Sequence, residues 1–311
     1  MLTSNQDRLS NTELKQSVLS LKKKKNCLIL AHNYQALEVQ EIADLVGDSL
    51  EMAKYACTTD HPLVMLCGIR LMAETVKMLN PEKKVLLSHE TARCPLAEMK
   101  KIDELLELKE RYPQAEVVCY VNATSDLKAE STISCTSGNV GEVISKLPAG
   151  KEIIFIPDRN LGSWGAMVSG RSVIMWDGYC PVHDQITLGQ VKDLKMKYPR
   201  HKLAVHPECK PEICKIADYV CSTSQMISYT QENDRVIIGT EIGLYRQLAA
   251  KYPEKDLVPM SEQMICANMQ KTTLAEVAKT LADEENEITL DQDIMIRAKA
   301  SLERMFRLTG N

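Results

Sequence analysis

Short runs of apolar residues recur along the chain, and most end in polar clusters. Cys27 to Ala31 precedes His32-Asn33-Tyr34, Val117 to Cys119 precedes Tyr120-Val121-Asn122, and Leu203 to Val205 precedes His206-Pro207-Glu208. Leu63 to Cys67, Ile153 to Ile156 and Val236 to Gly239 form a second set, and Val85 to Leu87, Ser172 to Trp176 and Leu257 to Met260 a third. Runs this short and this apolar read as strands buried on both faces, as in parallel sheets covered by helices. Between them lie amphipathic stretches. Glu38 to Cys57 carries Val39, Ile42, Ala43, Val46, Leu50 and Ala53 on a helical stripe interrupted near Gly47, and Leu96 to Glu110 and Leu188 to Lys197 are two more helices. The last two leave through Arg111-Tyr112-Pro113 and Lys197-Tyr198-Pro199, and proline marks each exit.

The three members of each set are spaced near 87 residues apart. Cys94, Cys180 and Cys266 are separated by 86 residues and then by 86 again. Ile42-Ala43-Asp44-Leu45-Val46 returns as Ile216-Ala217-Asp218-Tyr219-Val220 after 174 residues. A solenoid repeat runs about 20 to 50 residues, so the period implies three small domains, each with about three strands. The expected fold is α/β: three pseudo-threefold-related three-layer α/β/α domains with short parallel sheets around a central cavity. Their limits read as 1–110 with a lead helix, 111–198, and 199–311 with the C-terminal helices.

Composition narrows the function. The formal charge of −4 gives no electrostatic footprint for nucleic acid. The one dense basic block, Lys22-Lys23-Lys24-Lys25, reads as a solvated helix end, and Lys54, Lys77 and Asp283-Glu284-Glu285 as solvated helix faces. No apolar stretch approaches the roughly 18 residues of a membrane span, and the N-terminus lacks the apolar core of a signal peptide. A cytoplasmic protein with no membrane or nucleic-acid partner is expected. Thiols stay reduced there, so the eleven cysteines must be explained by metal binding, catalysis or burial.

Ligands of parallel sheets bind beyond the carboxyl ends of the strands, where the three polar tails lie. A threefold arrangement brings those tails and the three registered cysteines to one cavity. Three thiolates suit a [4Fe–4S] cluster with one iron left open as a Lewis acid; they equally suit zinc completed by water or histidine, and a single cysteine is most often a buried small hydrophobe. The remaining eight, Cys27, Cys57, Cys67, Cys119, Cys135, Cys209, Cys214 and Cys221, lack the register and read as buried thiols. Arg159 with Asp158 reads as a salt-linked turn ahead of a phosphate clamp.

Ten segments in order between about residues 24 and 275 resemble the quinolinate synthase family: Ala31-His32-Asn33-Tyr34-Gln35, Gly47-Asp48-Ser49, Met72-Ala73-Glu74-Thr75, Tyr120-Val121-Asn122, Cys135-Thr136-Ser137, Pro157-Asp158-Arg159-Asn160-Leu161-Gly162, Gly178-Tyr179-Cys180-Pro181-Val182-His183, His206-Pro207-Glu208-Cys209, Ser222-Thr223-Ser224-Gln225-Met226 and Gly239-Thr240-Glu241-Ile242-Gly243. The resemblance implies a [4Fe–4S] cofactor on Cys94, Cys180 and Cys266. It also implies condensation of iminoaspartate with dihydroxyacetone phosphate to quinolinate in de novo NAD biosynthesis. Gln263 stands where some members have a further cysteine, so their auxiliary disulfide is not expected.

The resemblance further implies Tyr34 and Glu208 as proton-transfer groups, with His32 and His206 orienting substrate or tuning them. Tyr120, Asn122 and His183 join the substrate wall. Ser49, Ser137, Ser222 and Thr223 supply anion contacts, although each reads alone as a helix N-cap. A raised pKa for a buried Glu208 would suit acid–base work. Iminoaspartate hydrolyses readily, which implies supply coupled to an aspartate oxidase or dehydrogenase. Two other classes use a similar core. A different [4Fe–4S] hydro-lyase would leave the triose-phosphate motifs without purpose, and a redox sensor would need no His-x-Tyr or His-x-Glu at a strand end. The Cys-x3-Cys-x2-Cys spacing of radical cluster enzymes is absent.

Overall fold

The computed structural model describes residues 10–99 and 101–310. Among them, three all-parallel four-stranded sheets share one topology. The first contains β1 (Cys27–His32), β2 (Leu45–Gly47), β3 (Leu63–Cys67) and β4 (Lys84–Leu87) in the order β2-β1-β3-β4. The second contains β5 (Glu116–Tyr120), β6 (Ile133–Cys135), β7 (Ile153–Ile156) and β8 (Ile174–Met175) in the order β6-β5-β7-β8. The third contains β9 (Lys202–Val205), β10 (Tyr219–Val220), β11 (Arg235–Gly239) and β12 (Asp256–Pro259) in the order β10-β9-β11-β12. Helices alternate with the strands, giving the three-layer α/β/α arrangement expected of uniformly buried strands.

All nine expected strands are present, and each sheet gains a short fourth one, β2, β6 or β10. The stretch Glu38 to Cys57 is therefore two helices, Leu37–Gln40 and Ser49–Cys57, with β2 between them. Asp44 explains the difference. Its carboxylate accepts the N–H of Ile29 at 2.8 Å while its own N–H donates to the Ile29 carbonyl, pinning the chain to β1. Val39 and Ile42 still enter the core of the first sheet, so their spacing imitates a helical stripe. Asp218 makes the same pair of bonds to Leu203 beside β9, and the side chain and N–H of Thr132 do so to Val117 beside β5. This clamp is the physical content of the Ile-Ala-Asp repeat. Leu96 to Glu110 is likewise divided, into Pro95–Glu98 and Ile102–Arg111, because Lys101 is extended and caps the second helix. Leu188–Lys197 forms as one helix ending before Tyr198-Pro199.

The chain divides into two compact units: residues to Cys94 with Cys266–Leu290, and Pro95–Ile265 with the chain from Asp291. In the first, Leu14 and Val18 of helix Asn11–Lys25 and Leu274, Val277 and Leu281 of helix Leu274–Asp283 pack on Ile29, Met65 and Leu86. The lysine block closes helix Asn11–Lys25, where cations oppose the helix dipole. Lys22 pairs with Asp44 and Lys25 with Glu284, both at 2.7 Å. Glu284 is thus no solvated face residue. Hydrogen bonds from Lys25 and Lys84 pull its pKa down to about 2. Lys77 likewise spends its ammonium on the Pro81 and Lys83 carbonyls.

The second unit holds the other two sheets. Val117, Cys119, Ile154 and Ile156 centre one core, and Leu203, Val205, Ile213 and Ile237 the other. The C-terminal helix Gln292–Thr309 lies along helix Ser125–Ala129 and β6, where Ser301 and Ser134 share a 2.9 Å hydrogen bond and Arg304 reaches Glu116 at 3.0 Å.

Candidate active site

The strand order sets β1 beside β3, β5 beside β7 and β9 beside β11. Chain winding reverses at such pairs, and the crevice beyond their carboxyl ends receives ligands. His32 ends β1, Tyr120 ends β5, and His206 follows β9 directly. Each makes a contact two residues onward. Nδ1 of His32 accepts the N–H of Tyr34 at 3.2 Å, Nδ1 of His206 accepts that of Glu208 at 3.4 Å, and the Asn122 amide donates to the Tyr120 hydroxyl at 2.9 Å. The His32 and Tyr34 rings meet edge to face, centroids 4.6 Å apart. His32, Tyr120 and His206 are buried, whereas Tyr34 and Asn122 are half-buried and open toward solvent.

In the second unit the β9 end meets Cys180. Pro181 starts the single helical turn Pro181–Asp184, which turns His183 back onto the cysteine, Nδ1 3.2 Å from Sγ. The same Nδ1 lies 3.0 Å from Oε2 of Glu208, and Nε2 lies 3.0 Å from the Thr240 hydroxyl just beyond β11. His206 Nδ1 stands 3.5 Å from the same carboxylate oxygen. One imidazole therefore joins the thiol to a carboxylate that is only 4% exposed.

The sequence led us to expect a raised pKa for Glu208, and the surroundings reverse it. Burial pushes the carboxyl up, but the charge of His206 and the hydrogen bond from His183 outweigh it and hold Glu208 well below the usual range. Asp158 shows the opposite balance: burial, and then the charge of Glu208, raise it well above the usual value.

Asp158 is completely buried. It caps helix Arg159–Ser169 by accepting the N–H groups of Asn160 and Leu161, and its other oxygen accepts the Cys180 N–H at 3.2 Å. The Asn160 amide then reaches the Glu208 carbonyl at 3.0 Å. Arg159 is salt-linked, to Asp177 at 2.7 Å and Asp184 at 3.4 Å, and stacks over Tyr179.

The hydroxyl residues differ from their N-cap reading. Only Ser222 caps a helix, Thr223–Glu232, in a capping box with Gln225. Ser49 is the first residue of its helix, capped by Asp48, and Thr223 follows its cap. Ser137 lies in the turn after β6, and Asn139 precedes the next helix. Gly138 brings this turn against Ser222, whose hydroxyl would sit 3.3 Å from a Cβ added there.

The first unit carries His32, Tyr34, Ser49, Cys94 and Cys266. The loops that hold its two cysteines are laced together. Ser88 and Thr272 share a 2.7 Å hydrogen bond, and Lys271 donates to the Thr91 carbonyl at 2.8 Å. Gln35, beside Tyr34, donates to the Met269 carbonyl at 3.0 Å.

Exposure separates the cysteines. Cys94, Cys180 and Cys266 are half-buried, each in a loop after the last strand of its sheet. Seven others are buried, and burial pushes their thiols up, to about 11 at Cys119 and about 12 at Cys27 and Cys214. Such thiols resist the deprotonation a metal requires. Cys57 corrects the reading of all eight as buried, since it is exposed on helix Ser49–Cys57. Each of the registered three, taken singly, has the access and donor type of a metal–sulfur ligand.

A profile described as Quinolinate synthetase A protein matches residues 16–307. The chain is 46% identical over 305 residues to a quinolinate synthase of Aquifex aeolicus, covering 96% of this chain and 94% of that protein. The chain belongs to the quinolinate synthase family. A quinolinate synthase of Methanoregula boonei is 44% identical over 297 residues, covering 95% and 98% of the two chains, and one of Alkaliphilus metalliredigens is 43% identical over 303, covering 96% and 100%. Quinolinate synthases are enzymes of NAD biosynthesis. No described helix is long and apolar enough to cross a membrane.

Three residues within the family motifs escape a residue-by-residue reading. Thr240 and Asn160 lie inside quoted motifs, but nothing local marks them as partners of His183 and Glu208. Asp158 is disguised by the arginine beside it. The Cys180-Pro181-Val182-His183 spacing carried a usable signal, because proline opening a helical turn sets residues three apart on one face.

Proposed function

We propose that this chain is a quinolinate synthase that condenses iminoaspartate with dihydroxyacetone phosphate, releasing phosphate and two waters. The observation that carries the reading is the contact of Cys180 with His183 and, through it, with ionised Glu208. It sets a thiol of the threefold register one imidazole away from a group able to move protons. A [4Fe–4S] cluster on Cys94, Cys180 and Cys266 would supply an iron with no protein ligand, a Lewis acid for a substrate oxygen or nitrogen.

The chain's own groups divide the remaining work. Imine formation, tautomerisation and dehydration each move a proton between heavy atoms, so acid–base groups must stand at the strand ends. Tyr34 delivers and recovers a proton at its hydroxyl, with His32 set beside it by the Tyr34 N–H. Glu208, held ionised, is the base, and His206 and His183 orient it. Tyr120 and Asn122, already bonded to each other, hold a substrate carboxylate. Ser49, Ser222 and Thr223 at helix N-termini, with Ser137 against Ser222, receive the phosphate and second carboxylate. The protein works in the cytoplasm and draws iminoaspartate from an aspartate oxidase or dehydrogenase.

The test is turnover of iminoaspartate plus dihydroxyacetone phosphate by anaerobically prepared, cluster-loaded protein. Quinolinate and phosphate should appear in equal amounts without a nucleotide. Loaded protein that forms neither product would overturn the reading.

A further inference from the structure

We propose that chains lacking the cluster bind one zinc ion between Cys180, His183 and Glu208. A ligand atom from each lies within 4.8 Å of the other two, all inside the second unit. Sγ of Cys180 and Oε2 of Glu208 flank the same His183 nitrogen, at 3.2 and 3.0 Å. Nδ1 holds at most one proton, so it cannot donate to both. When Nε2 instead carries the proton, it donates to Thr240 at 3.0 Å and leaves the Nδ1 lone pair facing the thiol and the carboxylate. Three acceptors then converge on one point.

A thiolate, an imidazole and a carboxylate with a fourth position left for water form a zinc donor set. The outer contacts match those that orient metal ligands. Thr240 fixes the tautomer of His183, and Asp158 holds the Cys180 backbone N–H. Half-buried Cys180 leaves a path for the ion, whereas Glu208 and His183 are closed to solvent. Binding displaces the thiol proton to solvent and involves no oxidation. The ion occupies the thiol that the proposed cluster needs, so zinc excludes cluster assembly. Only that competition rests on the functional proposal; the zinc site itself does not.

The experiment titrates cluster-free protein, reduced and anaerobic, with zinc sulfate against a chromophoric chelator. Cobalt chloride provides a second probe through its thiolate charge-transfer band. One ion per chain is expected, with affinity lowered at least about 100-fold by Cys180→Ser, His183→Gln or Glu208→Gln and about 10-fold or more by Thr240→Ala. The double variant Cys94→Ser/Cys266→Ser should bind as tightly as the parent. Loss of zinc from that double variant would show that the three registered thiols hold the ion and would overturn the proposal. Retention in both His183→Gln and Glu208→Gln, or no binding by the parent, would do the same. Circular dichroism of each variant separates ligand loss from misfolding, and the His183 and Glu208 variants stand in for each other if one fails to fold. Quinolinate formation by loaded protein is measured separately, so either proposal can fail alone.

Discussion

The N–H of Tyr34 donates to Nδ1 of His32 across 3.2 Å, so it is the tyrosine backbone, not its phenol, that orients the histidine. Tyr34→Phe keeps that backbone bond and the ring contact. Quinolinate formation per loaded cluster should fall about 100-fold or more, while iron content and melting temperature stay at parental values. Turnover within a few-fold of the parent would remove Tyr34 from proton transfer.

Glu208→Gln preserves shape but not charge beside His183 and His206. Steady-state kinetics should show kcat reduced by about 10²- to 10⁴-fold, the span of general acid–base catalysis. A change confined to KM would mark Glu208 as a binding group only.

Glu116 is buried between Lys151 at 2.9 Å and Arg304 at 3.0 Å, where it fastens the C-terminal helix to β5. Burial raises its pKa, but the hydrogen bonds from Lys151 and Arg304 prevail and leave it lowered. Its stabilisation is therefore present above the unfolded carboxyl pKa near 4.3 and is lost as pH falls toward the depressed folded value. Glu116→Gln should cost about 1.5 to 3 kcal/mol at pH 7. Urea unfolding from pH 7 to 3 should show parent and variant converging at the acid end; a constant difference would contradict the ion-pair account.

Thr132 supplies to β5 the hydrogen bond that Asp44 and Asp218 supply to β1 and β9. Thr132→Val keeps the volume and leaves the Val117 N–H unpaired beside a buried strand. Unfolding should register a loss of about 1 to 3 kcal/mol. An unaltered midpoint would mean that this clamp matters in two sheets and not in the third.

The sheets were legible because buried parallel strands are uniformly apolar, and runs such as Ile153 to Ile156 need no context to read. β2, β6 and β10 were hidden, being only two or three residues long and held by a side-chain clamp as well as by strand pairing. The cysteine register marked Cys180, and the family motif marked His183 and Glu208. Their convergence on one nitrogen was not legible, since it depends on a helical turn meeting a strand end from another sheet. The expected pKa of Glu208 had the wrong sign for the same reason. Burial can be inferred from sequence, but the two histidines that oppose it are placed by tertiary structure. Ser49 and Ser137 read alone as caps, but Asp48 caps the helix that Ser49 begins, and the helix after Ser137 follows Asn139 with no side-chain cap.

The most direct test of the central claim is iron and acid-labile sulfide per chain in anaerobically purified protein, beside the Cys94→Ser, Cys180→Ser and Cys266→Ser variants. About four of each in the parent, with loss in every one of the three variants, is the predicted result. Full loading of any single variant, or a parent that carries no iron, would contradict a three-thiolate cluster.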